Sequence, residues 1–313
     1  MAGDRRRGDV SPLRLIAIAV ILIGLVLVSL RLLPGSPFQA DAVARWGDAS
    51  TSDDRPTSTP GDRAARPSAQ PSPSPSLEPL PFVAKDLDGL DLEGWYSWSV
   101  LDRRTGKIIG SDNMGETSTT ASLIKSWIVA DYLRRAAEND QTPSDAKLAD
   151  ATQIIRDSDN TRAEQFYNSV GRSASIKRLI SMCGLTDSSV APDGGWSRTA
   201  LSPRDTARLG NCIATGKAAG PEWTKWLLNE MRLVRGTGDF GIRKAFPAAE
   251  QKKIAIKNGW IDRTREQEMH INCLAIGDTW TMGVMVRYPI DMGYEYGMKN
   301  CQKITEALLK PGV

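Results

Sequence analysis

The chain has 313 residues, 41% of them hydrophobic and 25% charged, enough for one large core or two modest ones. The 40 Lys and Arg against 37 Asp and Glu leave a net charge of only +3, which argues against a chain-wide nucleic-acid footprint. Histidine occurs once, at His270, so a multi-histidine metal site is excluded and acid–base chemistry falls to Lys, Asp, Glu, Ser or Tyr.

The N-terminus carries a membrane signal. Arg5, Arg6, Arg7 and Arg14 precede an uncharged apolar run of 16 residues, Leu15 to Leu30. Arg14 and Arg31 can snorkel to the two interfaces and extend this run towards the span of about 20 residues that a bilayer needs. The basic cluster predicts a cytoplasmic N-terminus and an exported C-terminal part, hence a single-pass anchor over 1–35 in the cell membrane. The rival reading is a cleaved signal peptide with Ala42-Val43-Ala44 as cleavage pattern, although that triplet lies well beyond the apolar run. No cysteine lies nearby, which excludes a lipoprotein anchor.

Residues 36–80 form a Pro/Ser-rich linker, clearest at Pro71-Ser72-Pro73-Ser74-Pro75-Ser76, with too little apolar surface to fold and the composition of a semi-extended stalk. A globular pattern runs over 81–313 and holds all four cysteines, Cys183, Cys212, Cys273 and Cys301. An even count on the exported side suggests disulfides. Of three possible pairings, Cys183–Cys212 and Cys273–Cys301 each close a local loop and are favoured; four buried free thiols are the alternative. No CxxC spacing exists, so neither zinc nor another metal is expected, and no cofactor.

Within the globular part, Trp95 to Leu101 and Lys107 to Gly110 read as a β-hairpin around Asp102–Gly106. A strongly apolar helix follows over Ser122–Glu138, then helical patterns at Asp145–Arg156, Asn160–Val170, Ser173–Met182, Pro203–Thr215 and Glu222–Val234. Strands return at Lys253–Lys257, Met269–Gly277 and Thr281–Tyr288, and a helix over Lys299–Leu309 ends the chain. Strands at both ends imply one antiparallel sheet built from both ends of the chain, flanked by helices, with the central helices as a second subdomain: an α+β fold.

Ser122-Leu123-Ile124-Lys125 opens the apolar helix as an S-x-x-K. Positions i and i+3 share a helix face, so hydroxyl and amine can meet. A lysine acts as base only when neutral, and burial together with a second cation lowers its pKa towards that state. This activates a serine without histidine. The motif alone is weak: Ser144-Asp145-Ala146-Lys147 is a second copy and reads as surface, and Ser122 could simply cap a helix. Ser158-Asp159-Asn160 lies between two helices, with Ser111-Asp112-Asn113 as its decoy; either copy could be a turn or cap. Lys257-Asn258-Gly259 falls where the strand ends and a turn would begin. Order gives the three motifs their value.

In that order the motifs resemble the penicillin-recognising serine enzymes, and among them the class A β-lactamase-related family. The resemblance covers most of 82–313 and extends to Leu201-Ser202-Pro203, Phe240-Gly241-Ile242 and Lys257-Asn258-Gly259-Trp260. It implies a β-lactamase/transpeptidase-like fold, Ser122 as acylated nucleophile, Lys125 as its base and Ser158 as proton relay. Asn160 would bind the substrate amide, and Lys257 would attract the substrate carboxylate and keep Lys125 partly neutral. The backbone N–H groups of Ser122 and Trp260 would form the oxyanion hole, with Gly259 beside them in the substrate site.

Three departures stand out. The interval from Ser122 to Ser158 is 36 residues, shorter than in typical class A enzymes, which implies a more open cleft. Asn258 replaces a threonine but can still donate to a carboxylate. The deacylating glutamate has no counterpart between Cys183 and Pro203, where Asp187 and Asp193 are the only carboxylates. Asp193 reads first as a turn residue and only second as a water-activating base. His270 reads as strand packing, Trp223 and Trp226 as core. Arg232, Arg235, Arg243 and Lys244 form either a solvated basic face or an attractor for an anionic substrate.

The resulting expectation is a membrane-anchored, monomeric, exported serine hydrolase, acting through an acyl-serine on a β-lactam or a peptidoglycan-derived peptide. The alternative is a catalytically silent domain of the same fold that binds cell-wall fragments or a partner protein. A third, a stalked structural protein, has only the linker composition behind it.

Overall fold

The computed structural model describes residues 77–311 apart from residue 88. The anchor expected over 1–35 and all but the last few residues of the 36–80 linker lie outside the described residues. Among the described residues no helix is long and apolar enough to cross a membrane.

The alternation of Trp95–Asp102 gives strand β1, which turns at Thr105-Gly106 into the short β2, Ile108–Gly110. Two residues of β3, Ser118–Thr119, later pair with β4, Ala200–Leu201, a connection that no local pattern predicted. The chain then enters a 3-10 turn, Ala121–Ile124, and helix α1, Lys125–Glu138. This segment is surrounded: Leu123, Ile124, Trp127, Ile128, Val129 and Leu133 are fully buried, and so are the polar Lys125, Ser126 and Asp131 among them. Each large apolar side chain among them contributes about 1.5–3 kcal/mol of burial.

Around α1 pack α2 (Asp145–Arg156), α3 (Asn160–Ser169), α4 (Ser173–Cys183), α5 (Pro203–Ala214) and α6 (Gly220–Arg232). Side-chain caps from Ser144, Asp159 and Ser202 start three of them. Gly184 ends α4 in the left-handed conformation. One further turn of helix, α7 (Ala248–Gln251), leads into the returning strands.

Those strands are β5 (Ala255–Arg263), β6 (Glu268–Ile276) and β7 (Trp280–Pro289), followed by α8, Gly293–Leu308. The sheet runs β2-β1-β7-β6-β5, antiparallel throughout, with β1 from one end of the chain beside β7 from the other. Helix α5 covers one face and α8 the other, while β5 forms the edge facing the 3-10 turn. The architecture is the α+β arrangement expected. The boundary at Lys257 differs: the strand continues to Arg263, so Lys257-Asn258-Gly259 sits in mid-strand and not at an exposed end.

Both favoured disulfides are present. Cys183–Cys212 ties the end of α4 to α5, and Cys273–Cys301 ties β6 to α8, with Cα separations of 5.5 and 6.6 Å. A second tie is electrostatic. Buried Asp131 on α1 is bound by Arg134 and Arg178 and accepts from Ser175 Oγ at 2.6 Å, while Trp127 Nε1 donates to Ser175 Oγ at 3.0 Å.

Candidate active site

Lys125 is the first residue of α1 and is completely buried. Its Nζ reaches across 33 residues of sequence to the Ser158 carbonyl oxygen at 2.5 Å and Ser158 Oγ at 3.3 Å, and it meets Asn160 Oδ1 at 2.6 Å. Lys257, equally buried in β5, brings its Nζ to 2.9 Å from Ser158 Oγ. One hydroxyl therefore stands between two amines. Burial pushes Lys125 from the ordinary 10.5 down to about 7, opposed weakly by Asp159. Burial also drives Lys257 well down, and repulsion from Lys125 adds to it.

The loop that presents Ser158 is conformationally demanding. Ser158 has φ +61°, a left-handed conformation costing on the order of 1 kcal/mol for a non-glycine residue. Asp159 holds the next step by capping α3, accepting from the Arg162 N–H at 2.7 Å. The three residues of the motif thus divide their work: the first faces the lysines, the second caps, the third binds Lys125.

Ser122 lies on the 3-10 turn, one residue after Ala121 at φ +47°. The turn's N-cap position is Thr120 and that of α1 is Ile124, so Ser122 is not a helix cap. It lines an open cavity of about 600 Å³ together with Asn160, Glu164, Trp196, Trp260 and Ile261. Gly259 makes this possible. A Cβ at that position would sit 2.1 Å from the Thr120 carbonyl oxygen and 2.9 Å from the Ser122 nitrogen, so any side chain would push β5 off the turn. Edge strand and serine backbone are in close apposition, as two oxyanion donors require.

Asn258 departs from its expected role. Strand alternation turns it to the face opposite Lys257 and Gly259. Its Nδ2 donates to the carbonyls of Gly238 and Phe240 at 3.1 and 2.8 Å, and the residue is almost fully buried. Both amide hydrogens are spent on the chain itself, so the side chain fastens the loop before β5 and does not reach a substrate. Trp260, on the same face as Asn258, packs edge-on against Phe240 while still bordering the cavity.

Other sequence candidates are structural. Asp193 caps its own turn by accepting from Gly195 N–H at 2.9 Å. Asp187 is bound by Arg204 and accepts from Ser202 Oγ at 2.7 Å. His270 is buried between Thr119 Oγ1 at 2.8 Å and Glu268 at 3.0 Å. Ser144 caps α2, and Lys147 pairs with Asp150. Of the basic run, Arg235 is paired with Asp157, and Arg243 and Lys244 with Asp239. Among the described residues no group of three or more His, Cys, Asp or Glu is placed to hold a metal.

Two residues of the cavity were not anticipated. Trp196 puts its ring 4.9 Å from Lys125 Nζ, and its Nε1 donates to Glu164 Oε2 at 2.8 Å. Glu164 lies four positions after Asn160 on α3, a spacing that shares a helix face and was readable in the sequence.

A family model described as the beta-lactamase enzyme family matches residues 86–310. The chain belongs to this family. It is a serine hydrolase of the β-lactamase type. The fold agrees with solved β-lactamase structures. The TLA-3 extended-spectrum β-lactamase aligns with a TM-score of 0.59 at 15% identity, covering 70% of this chain and 95% of that one. The TLA-1 extended-spectrum β-lactamase gives 0.57 at 14% identity over 70% and 95% of the two chains. A β-lactamase from Burkholderia vietnamiensis gives 0.54 at 17% identity over 68% and 90%. No curated protein matches the chain at a significant level. Within the β-lactamase family, the chain keeps a cavity-lining serine with two buried lysines behind it.

Proposed function

We propose that the chain forms an acyl-serine intermediate at Ser122 with a β-lactam or a peptidoglycan-derived peptide. The observation that carries this reading is the convergence of Lys125 and Lys257 on Ser158 Oγ behind the cavity that Ser122 lines. A neutral Lys125 can take the Ser122 proton as the hydroxyl attacks the carbonyl carbon. Ser158 can then accept a hydrogen bond from Lys257 and pass a proton towards the leaving nitrogen. The developing oxyanion would fall to the backbone N–H groups of Ser122 and Trp260. Asn160 and Lys257 would hold the substrate amide and carboxylate.

Deacylation is slow in this reading, because Asp187 and Asp193 are engaged elsewhere. We further propose that residues 1–35 anchor the domain on the outer side of the cell membrane. The basic-flanked apolar run supports this, and so do two disulfides, which suit an oxidising compartment.

The test is intact-protein mass over time for the full chain with a penicillin and a cephalosporin, beside Ser122→Ala. A lasting adduct absent from Ser122→Ala is the expected result. No adduct at any time overturns a β-lactam as substrate, in favour of a silent domain of the same fold that binds cell-wall fragments or a partner protein, or of a serine hydrolase whose substrate is not a β-lactam. A transient adduct with drug consumed overturns slow deacylation alone.

A further inference from the structure

The cavity that Ser122 lines is built like a receptor for a positive charge. Its walls carry two indoles, Trp196 and Trp260, and one charged side chain, the carboxylate of Glu164, alone of its kind among the described residues that line it. Indole faces beside a carboxylate are the surroundings an ammonium prefers to water, since the ring quadrupole and the anion attract it together. The other cations close to the serine, Lys125 and Lys257, are both buried; Lys125 lies 4.9 Å from the Trp196 ring, but both lysines are present in parent and Glu164 variant alike, so their influence cancels when the two are compared.

Glu164 is held without being used up. Trp196 Nε1 donates to Oε2 at 2.8 Å, and Arg172 donates to Oε1 at 2.7 Å. Each carboxylate oxygen keeps a second acceptor direction. Arg172 approaches from outside the cavity, is half-exposed, and divides its donors between Glu164 and Asn168 Oδ1 at 2.6 Å. An exposed pair of this kind is weak and leaves the carboxylate open to a second cation. The indole–carboxylate bond also joins α3 to the turn carrying Trp196, which fixes the wall of the cavity on both sides.

We propose that Glu164, with Trp196 and Trp260, forms a subsite for an amine-bearing acyl group, so that the preferred acyl donors carry an ammonium near the scissile carbonyl. This deepens the acyl-serine reading and rests on it.

The experiment compares second-order acylation constants of the full chain for ampicillin and benzylpenicillin, which differ by one α-amino group. It is run at about pH 6.5, below the usual range of an α-amino group. The ampicillin-to-benzylpenicillin ratio in the parent, divided by that in Glu164→Gln, should be roughly three to ten, the range of a half-exposed ion pair reinforced by aromatic faces. In the parent alone the ratio should fall as salt rises, because the attraction is screened. A double ratio near one overturns the subsite, as does a parent ratio indifferent to salt, a readout that needs no variant to fold. Absence of adduct with either penicillin overturns β-lactams as acyl donors, an outcome distinct from a double ratio near one.

Discussion

Two clusters of buried charge sit on the same helix, and they are built on opposite principles. At Asp131 the carboxylate meets two guanidiniums and a hydroxyl, and Arg134 also pairs with Glu138 at the surface, so positive and negative charge balance. Two turns away, Lys125 and its neighbour Lys257 hydrogen-bond only to neutral oxygens: two carbonyls, a hydroxyl and an amide. The first cluster pairs opposite charges and clamps α1 to α4. The second cannot keep two charges at once, because burial and mutual repulsion both favour the free amine. A balanced network holds structure; an unbalanced one stores the basicity that a serine nucleophile needs.

Breaking each cluster should give opposite signatures. The largest effect is expected from Asp131→Ala, which removes the buried carboxylate shared by Arg134 and Arg178 and leaves Arg134, only 7% exposed, with Glu138 alone. Stability should fall by about 3–5 kcal/mol in urea unfolding, with no shift in the pH profile of acylation by the folded fraction. Lys125→Met should do the reverse. Acylation followed by mass should drop about a hundredfold or more, while the melting temperature holds or rises, because an apolar chain of similar length replaces an uncompensated buried amine.

The pH dependence sharpens the contrast. Lys125 titrates near 7 in the fold and at the ordinary 10.5 when unfolded. Acylation should therefore decline as pH drops through about 7, approaching tenfold per unit as the neutral amine disappears. Between the two values the unfolded chain binds a proton that the folded chain does not, so stability should increase with pH across that window. Unfolding free energies measured from neutral to alkaline pH should show a smaller slope in Lys125→Met, the remainder coming from Lys257. The smallest effect belongs to Asn258→Ala, which frees the carbonyls of Gly238 and Phe240. It should cost about 1–3 kcal/mol in stability, visible in thermal unfolding more than in the acylation constant.

Much of this was legible before any coordinates. The order of the motifs named Lys125, Ser158, Asn160 and Lys257, which the fold brings together, while Ser122 stands on the 3-10 turn ahead of the helix. Local loop closure pointed to the two disulfides. Asn258 was misplaced because ending the strand at Lys257 concealed the alternation that turns the next side chain away. Glu164 lies outside the interval from Cys183 to Pro203, and only its spacing from Asn160 on one helix face marks it in the sequence. Trp196 carried no local signal at all beyond a glycine-rich turn, and its place over Lys125 arises from tertiary packing.

By itself, the sequence determined the elements and the residue types available to them, because helical and strand periodicity and capping act over a few neighbours. It could name two lysines and a serine. Only the tertiary structure decided that they share one hydroxyl, through contacts spanning 33 and 99 residues. It alone decided that both amines lose their water, and it is that loss of solvation which shifts a lysine towards a base.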